Sequence, residues 1–215
     1  MKNRFELLIF DWDGTLMDSI GWIVHCLQTA ADRAGCKVPP PQAAKDVIGL
    51  SLIRAMDTLF PEADSELREQ LVCAYSQEYA SRVLGPGDLF AGVREMLEEL
   101  NGAGYRLAVA TGKTRAGLQK ALQATGTEEL FCITRAADET SSKPDPTMLL
   151  EIMSHMKVAP ERALMIGDSI HDLQMAQNAH ISAIGVSCGA HSEEILQQYL
   201  PLLCLQQPTE LLNFI

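Results

Sequence analysis

Four short, mostly apolar runs at residues 5–10, 105–110, 163–166 and 181–186 limit most strongly what this chain can fold into. Their length and composition are those of strands covered on both faces of a sheet. Residues 131–134 make a weaker fifth. Helical patterns at 93–100, 115–124, 146–156 and 173–178 separate the runs, so strand and helix alternate through the second half of the chain. The expected fold is a doubly wound α/β sheet of parallel strands. Right-handed crossovers then bring the C-terminal ends of the strands to one edge, where open α/β sheets build their ligand sites.

Between the first and second strands lies a stretch far too long for an ordinary strand-to-helix connection. It covers roughly residues 16–85 and carries helical periodicity with almost no strand signal. Its best helices are expected at 19–34 and 65–83, with 52–59 between them. Pro39-Pro40-Pro41 and Phe60-Pro61 punctuate the stretch, and Gly85-Pro86-Gly87 ends it as a hinge. The expected organisation is an α/β core from residues 1–15 and 86–215, with a helical module inserted at 16–85.

Composition excludes several classes. Hydrophobic residues at 47% and charged residues at 21% are ordinary globular usage, not that of a disordered or collagen-like chain. Seventeen Lys and Arg against 28 Asp and Glu give a net charge of −11, which opposes binding to nucleic acid or anionic lipid. A small anionic substrate stays admissible, because a metal ion or a few placed cations can invert the sign inside a cleft. The six cysteines show no zinc-ligand or redox spacing and read as reduced core thiols. No apolar stretch approaches the ~18 residues of a membrane span, and Glu6 with Asp11 and Asp13 marks the first apolar run as a strand and not a signal peptide. A cytoplasmic protein is expected, with no membrane partner.

Four motifs carry chemistry. Phe10-Asp11-Trp12-Asp13-Gly14-Thr15 places two carboxylates at i and i+2 where a strand ends, so one can serve through its side chain and the other through its backbone carbonyl. A calcium loop starting at Asp11 would need Glu at its twelfth position, which is Trp22. Val109-Ala110-Thr111-Gly112-Lys113-Thr114 offers a hydroxyl and backbone N–H groups at a helix start, a cradle for phosphate; a helix cap is the other reading of Thr111. A P-loop is excluded, since its first glycine would fall on Leu107. In Ser142-Lys143-Pro144-Asp145-Pro146 two prolines stiffen a segment that can hold an ammonium over the sheet edge, where a lone Lys is otherwise a solvated surface residue. Ile166-Gly167-Asp168-Ser169-Ile170-His171-Asp172 sets two acids four apart at another strand-to-helix junction, where helix capping is the alternative.

The parallel topology brings all four motifs to one edge. Asp11, Asp13, Asp168 and Asp172 then share a site with Thr111, Gly112 and Lys143. At ~4 Å and an effective dielectric of about 20, each like-charged pair costs about 4 kcal/mol. Such a cluster needs a cation, and hard oxygen ligands with room for water point to Mg²⁺.

With these motifs in this order, the chain resembles the haloacid dehalogenase-like hydrolase superfamily over nearly its whole length. The resemblance implies that Asp11 is the nucleophile that takes up a phosphoryl group and that Asp13 is the general acid and base. It implies that Thr111 and Lys143 bind phosphate, that Lys143 also steadies the nucleophile, and that Asp11, Asp168, the Asp13 backbone carbonyl and Asp172, directly or through water, surround Mg²⁺. Acids at both positions of the first motif fit phosphoryl transfer and not dehalogenation. The insertion is similar to the helical cap of the phosphoglycolate phosphatase-like subgroup. The activity implied is a Mg²⁺-dependent phosphatase acting on a small phosphorylated metabolite through an aspartyl-phosphate.

A sugar phosphomutase would share the core chemistry, and a receiver-type signalling domain also gathers Asp, Thr and Lys around Mg²⁺. The receiver, however, has an acidic pair at its first strand and no helical insertion. Further expectations are Asp18 as a helix N-cap, Arg54 and His171 as surface residues, Trp12 packing or supporting the cap, and a monomer.

Overall fold

The computed structural model describes residues 4–215. Six parallel strands form one sheet in the order β3-β2-β1-β4-β5-β6. They are β1 Leu7–Phe10, β2 Arg106–Thr111, β3 Ile133–Ala136, β4 Ala163–Gly167, β5 Ser182–Val186 and β6 Leu203–Leu205. Leu7, Leu8, Ile9 and Phe10 are all buried, as a central strand covered on both faces requires. Successive side chains of a strand point to opposite faces. Leu8 and Phe10 accordingly join one cluster with Val109, Ile166 and Ile184, while Leu7 and Ile9 join a second with Ala108, Ala110 and Met165.

Helices α5 (Val93–Gly102) and α6 (Arg115–Thr125) pack on the first face, and α7 (Thr147–Met156) and α8 (Ile170–Asn178) on the second. A short α9, Glu193–Gln197, precedes β6. Between β1 and β2 run α1 (Ile20–Arg33), α2 (Pro41–Asp46), α3 (Leu52–Leu59) and α4 (Ser65–Ala80). These four bury a cluster of their own, built on Ile20, Val24, Leu27, Met56 and Leu71. Local chemistry starts them where the sequence allows. Pro41 takes the first turn of α2, Ser51 accepts from the Arg54 N–H, and Asp64 accepts from the Leu67 N–H. No helix among the described residues is long and apolar enough to cross a membrane.

Some details differ from expectation: of the six cysteines expected in the core only Cys26 is buried, and Cys73 and Cys132 are exposed because they lie on outward-facing positions. β6 has three residues, two of them only half-buried, too brief a run to rise above a loop in sequence. β3 begins two residues later than expected, because Phe131 leaves the strand to pack edge-on against Trp12 at 6.3 Å. Of the two readings of Trp12, packing is the one seen, since it is fully buried in the core cluster.

Candidate active site

The first motif makes a knotted turn at the end of β1. The Asp11 N–H donates to the Ile166 carbonyl at 2.9 Å, which ties the turn to β4, and the Gly14 N–H donates to the Met17 carbonyl at 2.8 Å. Gly14 has φ +77°, and a Cβ there would strike the Asp168 carboxylate. Only glycine allows this backbone so close to that acid.

Asp11, Asp168 and Asp172 are buried, and each offers an oxygen within 4.8 Å of the others. Lys143, fully buried, stands 2.7 Å from Asp11 Oδ1 and 2.6 Å from Asp172 Oδ1. Beyond this ion pair, Asp11 Oδ1 has no other hydrogen-bond partner. Thr15 Oγ1 and the Ala190 N–H donate to the two oxygens of Asp168 at 2.8 and 2.7 Å. The Ser169 hydroxyl and N–H hold Asp172 Oδ2 at 2.6 and 3.1 Å, in a capping box that opens α8. Capping and site-building are thus both true of Asp172.

Electrostatics follow from this crowding. Burial pushes the Asp11 carboxyl up to about 7 against the pull of Lys143, and Asp172 and Asp13 add to the rise. Burial, with Asp11 and Asp172 adjacent, also raises Asp168 well above the usual carboxylate range. Burial alone would lower Lys143, but Asp11 and Asp172 outweigh it and raise its pKa. Three carboxylates against one ammonium leave the cluster short of positive charge. The Asp13 carbonyl oxygen accepts no hydrogen bond within the turn. Hard oxygen donors with uncompensated charge fit Mg²⁺.

The Asp13 side chain turns away from this cluster. Ser19 Oγ donates to its Oδ1 at 2.6 Å, and Lys113 Nζ lies 3.0 Å from both oxygens. Lys113 also donates to the Tyr79 hydroxyl of α4 at 2.6 Å. Burial works against the Lys113 charge, but Asp13 and Tyr79 reverse that and raise its pKa. Thr111 is fully buried at the end of β2, where its Oγ1 accepts from the Lys113 N–H at 3.2 Å, and Gly112 follows it. Thr114, not Thr111, caps α6 by accepting from the Gly117 N–H.

The segment between α2 and α3 closes over this edge. A Cβ on Gly112 would stand 2.5 Å from the Leu50 carbonyl oxygen and 2.6 Å from that of Gly49. The Ser51 N–H donates to Ser142 Oγ at 2.8 Å, and His171 Nε2 donates to the Asp46 carbonyl at 2.9 Å. A cavity of about 430 Å³ lies beneath, between the inserted helices and Asp11, Asp13, Thr111, Gly112 and Lys113.

All the residues expected at the site, Asp11, Asp13, Thr111, Gly112, Lys143, Asp168 and Asp172, therefore come to one strand edge. Two side readings are corrected. Asp18 does not cap α1; its N–H donates to the Asp88 carbonyl, Ser19 holds the cap position, and the Ser19 hydroxyl serves Asp13. His171 is not a plain surface residue, since it bridges to α2; Arg54 is exposed as expected. Lys113, Ser19, Thr15 and Tyr79 were missed. Lys113 and Thr15 lie inside recognised motifs, whereas nothing local to Tyr79 marks a partner 34 residues away.

Comparison with known proteins gives the family. The family model for haloacid dehalogenase-like hydrolases matches residues 8–186. This chain belongs to that family. Among curated relatives, a probable phosphatase IndB of Dickeya dadantii is 35% identical over 211 residues, covering 96% of this chain and 92% of its own. A phosphoglycolate phosphatase of Nitrosococcus oceani is 30% identical, covering 88% and 87%. The crystal structure of a putative haloacid dehalogenase-like hydrolase from Bacteroides fragilis superposes with a TM-score of 0.87 at 28% identity, over 96% of this chain and 99% of that one.

Proposed function

We propose that this hydrolase is a Mg²⁺-dependent phosphatase that cleaves a small phosphate monoester through an aspartyl-phosphate on Asp11. The observation that carries the reading is the pairing of two differently held acids at one strand end. Asp11 sits among buried carboxylates with Lys143 at 2.7 Å, while Asp13, two residues on, is held by Ser19 and Lys113 and borders the same cavity. The phosphatase names of the relatives support the same class.

In this reading an Asp11 carboxylate oxygen attacks phosphorus in line as the P–O bond to the alcohol breaks. Asp13 gives the departing alkoxide a proton, then takes one from the water that hydrolyses the aspartyl-phosphate. Lys143, the Thr111 hydroxyl and the Gly112 N–H hold the phosphoryl oxygens. Asp11, Asp168 and the Asp13 carbonyl, with Asp172 directly or through water, would hold Mg²⁺, which would supply positive charge against that developing on the phosphoryl group. Residues 16–85 act as a cap that excludes water, on a core of residues 1–15 and 86–215.

The test is phosphate release from a panel of esters with and without Mg²⁺, together with trapping of a base-labile phosphoryl group on the protein. Turnover that requires Mg²⁺ and vanishes in Asp11→Asn is expected. Undiminished turnover in Asp11→Asn sinks the covalent mechanism.

A further inference from the structure

We propose that the site selects phosphate monoesters of a bulky apolar alcohol, such as an arylalkyl or branched alkyl group, over esters of a hydroxy acid or a sugar. The inference rests on the phosphatase reading above and names the substrate class for that same cavity. The space above Asp11 and Asp13 is walled by Ile23 and Leu27 of α1, Val47 and Ile48 of the closing segment, and Tyr75 and Tyr79 of α4. Tyr75 and Tyr79 stack with centroids 5.7 Å apart and planes 20° from parallel, so the two aromatic side chains line one side together.

A second anionic group on the substrate would find little to meet it. Three cations border the cavity among the described residues. Lys113 is held between Asp13 and Tyr79, and Arg82 pairs with Asp88 beside the Trp22 ring. Lys120 of α6 is exposed to solvent where it borders the cavity. A carboxylate placed here finds only the solvent-screened Lys120 as a free partner, an exposed pairing too weak to repay the water given up.

A polyhydroxyl group fares no better. The Tyr79 hydroxyl already accepts from Lys113, and Ser76 Oγ donates to the Val72 carbonyl at 2.7 Å. That wall then offers the Tyr75 hydroxyl and the Tyr79 O–H as donor, too little to replace the hydration of a sugar. Size points the same way, since about 430 Å³ lies within the range of pockets for whole small molecules and well above what a two-carbon acid fills.

The experiment compares kcat/KM, with Mg²⁺, for 2-phenylethyl phosphate, 3-methylbutyl phosphate, phosphoglycolate and glucose 6-phosphate. All four have alkyl leaving groups, so intrinsic reactivity does not decide the ranking. The two apolar esters are expected to lead the polar pair by about tenfold or more. Ile23→Lys, checked for folding by circular dichroism, is expected to collapse that ratio. Equal rates, a lead for phosphoglycolate or glucose 6-phosphate, or an unchanged ratio in folded Ile23→Lys overturns the inference while the phosphatase reading stands. Failure to release phosphate from any ester, p-nitrophenyl phosphate included, overturns both.

Discussion

Lys143 carries the highest electrostatic stake of any single residue. It is fully buried and touches two carboxylates, so removing it leaves Asp11 and Asp172 as unpaired buried charges. Breaking such a pair from one side costs about 3–5 kcal/mol. Lys143→Met is therefore expected to lower unfolding free energy in urea by about that amount at neutral pH, and by less in acid, where the carboxyls are neutral. A variant as stable as the parent at pH 7 contradicts this account. Asp13 shows a second use of a residue. Ser19 stands where a helix cap belongs, yet its hydroxyl is donated to Asp13 and not to the start of α1.

At the scale of elements, the segment between α2 and α3 meets the strand edge through backbone. The Gly49 and Leu50 carbonyls lie so close to Gly112 that no side chain fits between them. Gly112→Ala pushes this segment outward while β2 and α6 keep their own hydrogen bonds. The expected result is a fall in kcat/KM of up to about 10²-fold, from a displacement of about 1 Å. The core's thermal midpoint is expected to move little. A large loss of stability with unchanged kcat/KM would place the role of Gly112 in folding instead. Tyr79 reinforces this docking from α4, because its hydroxyl reaches Lys113 beside the acid.

For the whole molecule, the acid cluster sets how stability responds to pH and metal. Asp11 goes from an ordinary value of 3.8 to about 7 in the folded protein. The unfolded chain therefore releases that proton first as pH rises. Between about pH 4 and pH 7 the metal-free protein loses stability, approaching about 4 kcal/mol from this group at 1.36 kcal/mol per unit. Asp168 is raised in the same direction and adds to the loss. Mg²⁺ competes with these protons, so its stabilisation is expected to be larger at pH 8 than at pH 5. At 100 times its dissociation constant the gain is about 2.7 kcal/mol. Thermal melts with Mg²⁺ or EDTA at the two pH values check this; a metal gain independent of pH contradicts it.

Much of this was legible in the sequence, for local reasons. Apolar runs of strand length, alternating with helical periodicity, demand a parallel sheet with both faces covered. That topology alone delivers Asp11, Thr111, Lys143 and Asp168 to one edge. The family motifs made the chemistry readable because each lies within a few residues of a strand end. What local pattern does not encode is contact across the chain. The Tyr79–Lys113–Asp13 link, the hold of Thr15 and Ala190 on Asp168, and the carbonyls over Gly112 join residues far apart in sequence. The apolar wall of the cavity likewise exists only once α1 and α4 are packed and the segment between α2 and α3 has closed. Periodicity shows that a helix has an apolar face; tertiary packing decides which part of that face meets the core and which part is left for a ligand.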